Sequence, residues 1–105
     1  MLEIAKELGE NYTIFYNGPK CGASAPDHMH FQACTKNSMP VENEVNLISA
    51  NNIELATNNN IKIFAITNYL RNLFLIEAKN KESAVSEFKK LYNLIKDETN
   101  SVEEP

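Results

Sequence analysis

The sequence predicts an α+β fold, an antiparallel sheet with a long C-terminal helix packed on one face, and two observations carry that prediction. Residues 81–98 hold the clearest run of apolar side chains at helical spacing. The apolar runs before it are short, rich in β-branched and aromatic residues, and separated by clusters of Asn, Gly, Pro and Ser. A chain of 105 residues with 43% hydrophobic content suits one small globular domain, expected over residues 1–98, with 99–105 as a polar acidic tail.

Taken in order, residues 2–9 read as a short helix that gathers Leu2, Ile4, Ala5 and Leu8 on one side and stops at Gly9. Residues 12–16 are β-branched and aromatic and read as a strand. Residues 17–27 bring together two glycines and two prolines with small polar residues, which suits a tight loop with exposed backbone amides. Residues 28–34 alternate and read as a second strand, antiparallel to the first.

From 35 to 60 the chain is rich in Asn, and its apolar islands at 45–48 and 53–55 are expected as short strands or loop. The run Asn58-Asn59-Asn60 marks a turn. Residues 61–67 and 73–77 flank a polar turn at 68–72 and read as a hairpin, with Arg71 in the turn read as solvated. In the 81–98 helix the expected stripe is Ala84, Val85, Phe88, Leu91, Tyr92 and Ile95, with Asn80 as N-cap and Glu82 in the first turn.

The formal charge of −4, without a basic run, excludes a protein that grips a nucleic-acid backbone. A small phosphate-bearing ligand is compatible with it, because loop amides and one or two cations can meet that charge. No apolar run is long enough to span a bilayer, and the N-terminus lacks the layout of a signal peptide, so a cytoplasmic protein without a membrane partner is expected. Cys21 and Cys34 are then free thiols.

The chemistry concentrates at His28-Met29-His30-Phe31-Gln32. On a strand, residues two apart share a face, so His28, His30 and Gln32 are expected in one polar row while Met29, Phe31 and Ala33 face the core. Three polar groups in a row on a core strand are costly and point to a site. An imidazole is a competent nucleophile near neutral pH when its second nitrogen is held by a hydrogen bond, and His30, the central member, is best placed for that role. His28 and Gln32 flank it within reach of phosphate oxygens. Upstream, the amides of Gly22, Ala23 and Ser24 suit an anion, the Ser24 hydroxyl can donate to a bridging or leaving oxygen, and Lys20 adds charge.

The string from Asn17-Gly18 through Gly22-Ala23-Ser24-Ala25-Pro26-Asp27-His28-Met29-His30-Phe31-Gln32-Ala33 resembles the histidine-triad (HIT-like) superfamily. Gln32 at the third polar position resembles the branch of galactose-1-phosphate uridylyltransferase, diadenosine tetraphosphate phosphorylase and GDP-L-galactose phosphorylase. The resemblance implies a HIT-like sheet and a nucleotidyltransferase or phosphorylase that acts on a nucleoside diphosphate sugar or dinucleoside polyphosphate. It implies His30 as the nucleophile of a nucleotidyl-histidine intermediate, Gln32 on a non-bridging phosphate oxygen, and Asn17 near the phosphates or ribose. No cofactor is required by that chemistry.

Two features depart from the pattern: Ser24 stands four positions before His28, one more than in many relatives, and the chain holds a single small half of the usual site. A fragment, or a protein completed by a homodimeric partner or a second half, is therefore expected. Two other readings stay open. The chain binds nucleotide without turnover, or Cys21, His28, His30 and Cys34 form a zinc site, which their residue types allow.

Overall fold

The computed structural model describes residues 1–49, 52–67 and 69–102. The fold is α+β, with antiparallel sheets of two and three strands and a C-terminal helix on the larger sheet. The chain forms two compact units, Met1–Glu44 and Val45–Pro105.

In the first unit α1 (Leu2–Leu8) ends at Gly9, whose φ of 72° is a conformation glycine adopts without a Cβ penalty. Of its expected apolar side only Ala5 is half-buried. A 3₁₀ turn at Gly9–Asn11 leads into β1 (Tyr12–Phe15), which pairs with β2 (Gln32–Thr35) in the register Tyr12↔Thr35 to Phe15↔Gln32. The Lys36 N–H donates to the Asn11 carbonyl and carries the pairing one step further.

The next element, α2 (Pro40–Ser49), corrects the reading of 45–48 as strand or loop. Pro40 occupies the first helical position, where its missing N–H costs nothing, and Glu42 Oε2 accepts from the Met39 N–H at 3.0 Å, as in a capping box. Once nucleated, the turn extends through an apolar island that its β-branched residues alone had suggested was extended. Glu42 also accepts a hydrogen bond from Thr13 on β1 and lies 3.7 Å from Lys36 Nζ.

The second unit is a meander of β3 (Ile53–Thr57), β4 (Ile61–Ile66) and β5 (Leu73–Ala78), with β4 in the centre. The asparagine turn forms as expected. Asn58 Oδ1 accepts from the N–H groups of Asn60 and Ile61 at 2.8 and 3.1 Å, and the Asn58 N–H donates to the Ile61 carbonyl. Ile61, Ile63 and Ile66, all on β4, are the buried apolar residues among those described.

Across β4 and β5, Ile63 opposes Ile76 and Lys62 opposes Glu77, so an apolar pair and a pair of opposite charge fix the register together. Asn68, in the expected turn between these strands, lies outside the described residues, as do 103–105 of the expected tail.

The last helix, α3 (Lys81–Thr99), packs on β5. The Asn80 carboxamide caps it by accepting from the Ser83 N–H at 2.9 Å. Ala84, Val85, Leu91, Tyr92 and Ile95 are half-buried as expected, whereas Phe88 stays 58% exposed with its ring centroid 6.0 Å from that of Tyr92. The helix runs to Thr99, into the expected tail. Asn100 takes the left-handed conformation, and the Asn100 and Ser101 N–H groups donate to the Asp97 and Lys96 carbonyls, closing the helix with a Schellman pattern. Among the described residues no helix is long and apolar enough to cross a membrane.

Candidate functional site

The connection from β1 into the start of β2 carries the residues singled out for catalysis and phosphate binding, with Gln32 as the first residue of β2. It opens with a turn in which the Cys21 N–H donates to the Gly18 carbonyl at 2.9 Å, with Pro19 at the second position where its fixed φ fits. Gly22 follows at φ 85°, a conformation that favours glycine. Lys20, Gly22 and Ser24 are exposed and Ala23 is half-buried.

The strand expected over 28–34 begins only at Gln32. His28 sits in a bend, and Tyr16 and Phe31, which follow the last paired residues, meet ring edge to face with centroids 6.2 Å apart. The orientation of the row also differs from expectation. His30 and Gln32 are half-buried and His28 is exposed, while Met29 is 72% exposed and Phe31 and Ala33 are exposed. From His30 onward the alternation holds, but its polar side lies inward, because Gln32 stands opposite Phe15 and shares a face with it; His28 falls outside it.

Two pairs among the predicted residues are brought together. Asn17 Nδ2 donates to Gln32 Oε1 at 3.1 Å. The rings of His28 and His30 lie with centroids 5.3 Å apart, inclined by 46°.

Each imidazole is held by Nδ1. That of His30 lies 3.2 Å from the His28 carbonyl oxygen, and that of His28 lies 3.1 Å from Asp27 Oδ1. A carbonyl and a carboxylate only accept, so Nδ1 carries the proton in both rings, and Nε2 of the neutral ring keeps its lone pair. Such a ring can attack an electrophile through Nε2 without first losing a proton. Asp27, which sequence reasoning placed only in the loop, thus joins the site as the partner of His28.

The four residues of the zinc reading do not form a ligand set. Among the described residues no group of three or more His, Cys, Asp and Glu is placed to hold a metal ion, and Cys21 is exposed while Cys34 is half-buried.

A feature the sequence did not disclose lies in the second unit, where a cleft of about 320 Å³ opens between the asparagine turn and the start of α3. Glu82 and Glu87 line it, so its charge is wrong for a phosphate.

Residues 1–35 match the model of a domain of unknown function (DUF4922). The match takes in β1, the loop, His28, His30 and Gln32, and ends with β2. No curated protein and no solved structure matches the chain.

Proposed function

We propose that the chain transfers a nucleotidyl group through a covalent intermediate on His30 Nε2, with a nucleoside diphosphate sugar or dinucleoside polyphosphate as donor. The observation that carries this reading is the hydrogen bond from His30 Nδ1 to the His28 carbonyl, which leaves Nε2 as the nucleophilic nitrogen. In the first step the Nε2 lone pair attacks the α-phosphorus. A P–N bond forms, the P–O bond to the sugar phosphate or nucleotide breaks, and that group leaves with the electron pair. The positive charge of the modified ring is shared with Nδ1–H, which the carbonyl steadies.

In the second step an oxygen of phosphate or a sugar phosphate attacks the same phosphorus, and the P–N bond breaks to return the neutral ring. The proton on Nδ1 stays in place throughout. Gln32 donates to a non-bridging oxygen, and because it has no titratable proton to give a leaving group, transfer is favoured over hydrolysis. His28, the amides of Gly22, Ala23 and Ser24, and Lys20 supply further donors and charge. The acidic cleft of the second unit is left to another role.

The test is incubation with UDP-glucose, GDP-mannose and diadenosine tetraphosphate, each labelled at the α-phosphorus. Wild-type protein should acquire acid-labile label that is stable to base, and His30→Ala should acquire none. Donor binding without label in the wild type would make the chain a binding module and end the enzymatic reading.

A further inference from the structure

We propose that Asn17 is a positioning residue for Gln32, holding the acceptor end of its carboxamide so that the two Nε2 hydrogens are the end presented to a ligand. This rests on the reading above, in which Gln32 serves a phosphate oxygen. An amide nitrogen donates and never accepts, so the 3.1 Å contact from Asn17 Nδ2 occupies Gln32 Oε1 and leaves Nε2 as the outward group. A carboxamide without that restraint turns over readily and presents its oxygen as often as its nitrogen, and an oxygen set against a phosphate repels it.

The backbone explains why the pair forms. Phe15 stands opposite Gln32 in the last pair of the ladder, and Asn17 follows two residues on, just past the strand end and diagonal to Gln32 by residue count. Diagonal neighbours there are about 7–8 Å apart at the backbone, a span two carboxamide side chains can close. Both residues are half-buried, which weakens the competition from water for the hydrogen bond. The resemblance to histidine-triad proteins places an asparagine at the ligand, whereas here the Asn17 amide has a protein partner. The two roles make opposite predictions in a double-mutant cycle.

The cycle compares Asn17→Ala, Gln32→Ala and the double variant by the rate of His30 labelling at saturating donor. Removing Gln32 should slow labelling about 100-fold, the usual loss for one donor to a developing oxyanion. Removing Asn17 should slow it about tenfold, with KM for the donor unchanged. Because Asn17 acts only through Gln32, the double variant should be no slower than Gln32→Ala within about twofold. A double variant slower by the full product of the two effects would mean that Asn17 touches the nucleotide itself and would overturn the proposal.

A second measurement does not need turnover. In the carboxamide NMR spectrum one Asn17 Nδ2 proton should be shifted downfield and slow to exchange in the wild type, and both properties should vanish in Gln32→Ala. An unprotected Asn17 amide in the wild type overturns the proposal. If no donor labels the wild type, the transfer reading fails, and the carboxamide spectrum alone decides the positioning.

Discussion

Glu42 ties Thr13 on β1 to Met39 and Lys36. Its carboxylate is held below the ordinary value of 4.5, first by the Thr13 hydroxyl, then by the Met39 N–H and Asn37 backbone, with the Lys36 ammonium adding a weaker attraction. A lowered carboxyl pKa means that the unfolded chain binds the proton more tightly than the folded one. Its contribution to stability is therefore present above 4.5 and is lost as pH falls through the lower folded value. Urea midpoints measured downward from neutral pH should show this loss in the wild type and a shallower one in Glu42→Gln, so that the two curves approach each other in acid. Parallel curves would mean that the network around Glu42 does not link folding to protonation. Thr13→Val removes the largest cause and should bring the Glu42 pKa back toward 4.5, read by carboxyl NMR titration. None of this was legible from the sequence, since an acid in an Asn-rich stretch gives no sign of a threonine 29 positions away.

The helices show which local signals suffice. In α3 the apolar period, the Asn80 cap and the packed face all agree, and the element was legible nearly to its ends. Asn80→Ala should cost about 1 kcal/mol of unfolding free energy through the lost bond to the Ser83 N–H, measurable as a drop in thermal midpoint. At the other end, Asn100 takes a φ of 51° that strains most residues, so Asn100→Gly should hold or raise stability, whereas Asn100→Val should lower it by about 1–2 kcal/mol. A valine variant as stable as the glycine one would show that the Schellman closure contributes nothing. In α2 the local signals conflict. Pro40 and Glu42 mark a helix start, but Val45 and Ile48 favour a strand, and the capping contacts decide the outcome. The strand expected at 28–34 was too long because alternation of polar and apolar residues runs from 28 while the ladder starts only at Gln32.

Over the whole chain, the sequence made the candidate residues visible but not their orientation. His28, His30 and Gln32 could be picked out by type and spacing, whereas the Nδ1 contacts and the Asn17 carboxamide depend on side-chain rotation that no periodicity encodes. The division into two units was equally hidden, because β1 and β2 read as strands of one sheet with β4 and β5. The consequence is an uneven core. The buried apolar residues among those described all lie on β4 in the second unit, and the paired strands beside the His and Gln row contain none. A two-stranded ribbon is marginal by itself, so side-chain bonds such as those of Glu42 and Asn17 matter more there than area does. Ile66, wholly buried, should on truncation to alanine lose about 2–5 kcal/mol, a large share of the roughly 5–15 kcal/mol typical of a whole domain. Met29, at 72% exposure, should change stability by no more than about 0.5 kcal/mol when replaced by alanine. Urea unfolding of both variants checks the pair. A loss at Met29 as large as at Ile66 would place Met29 in a covered apolar surface and contradict its exposure in the segment before β2.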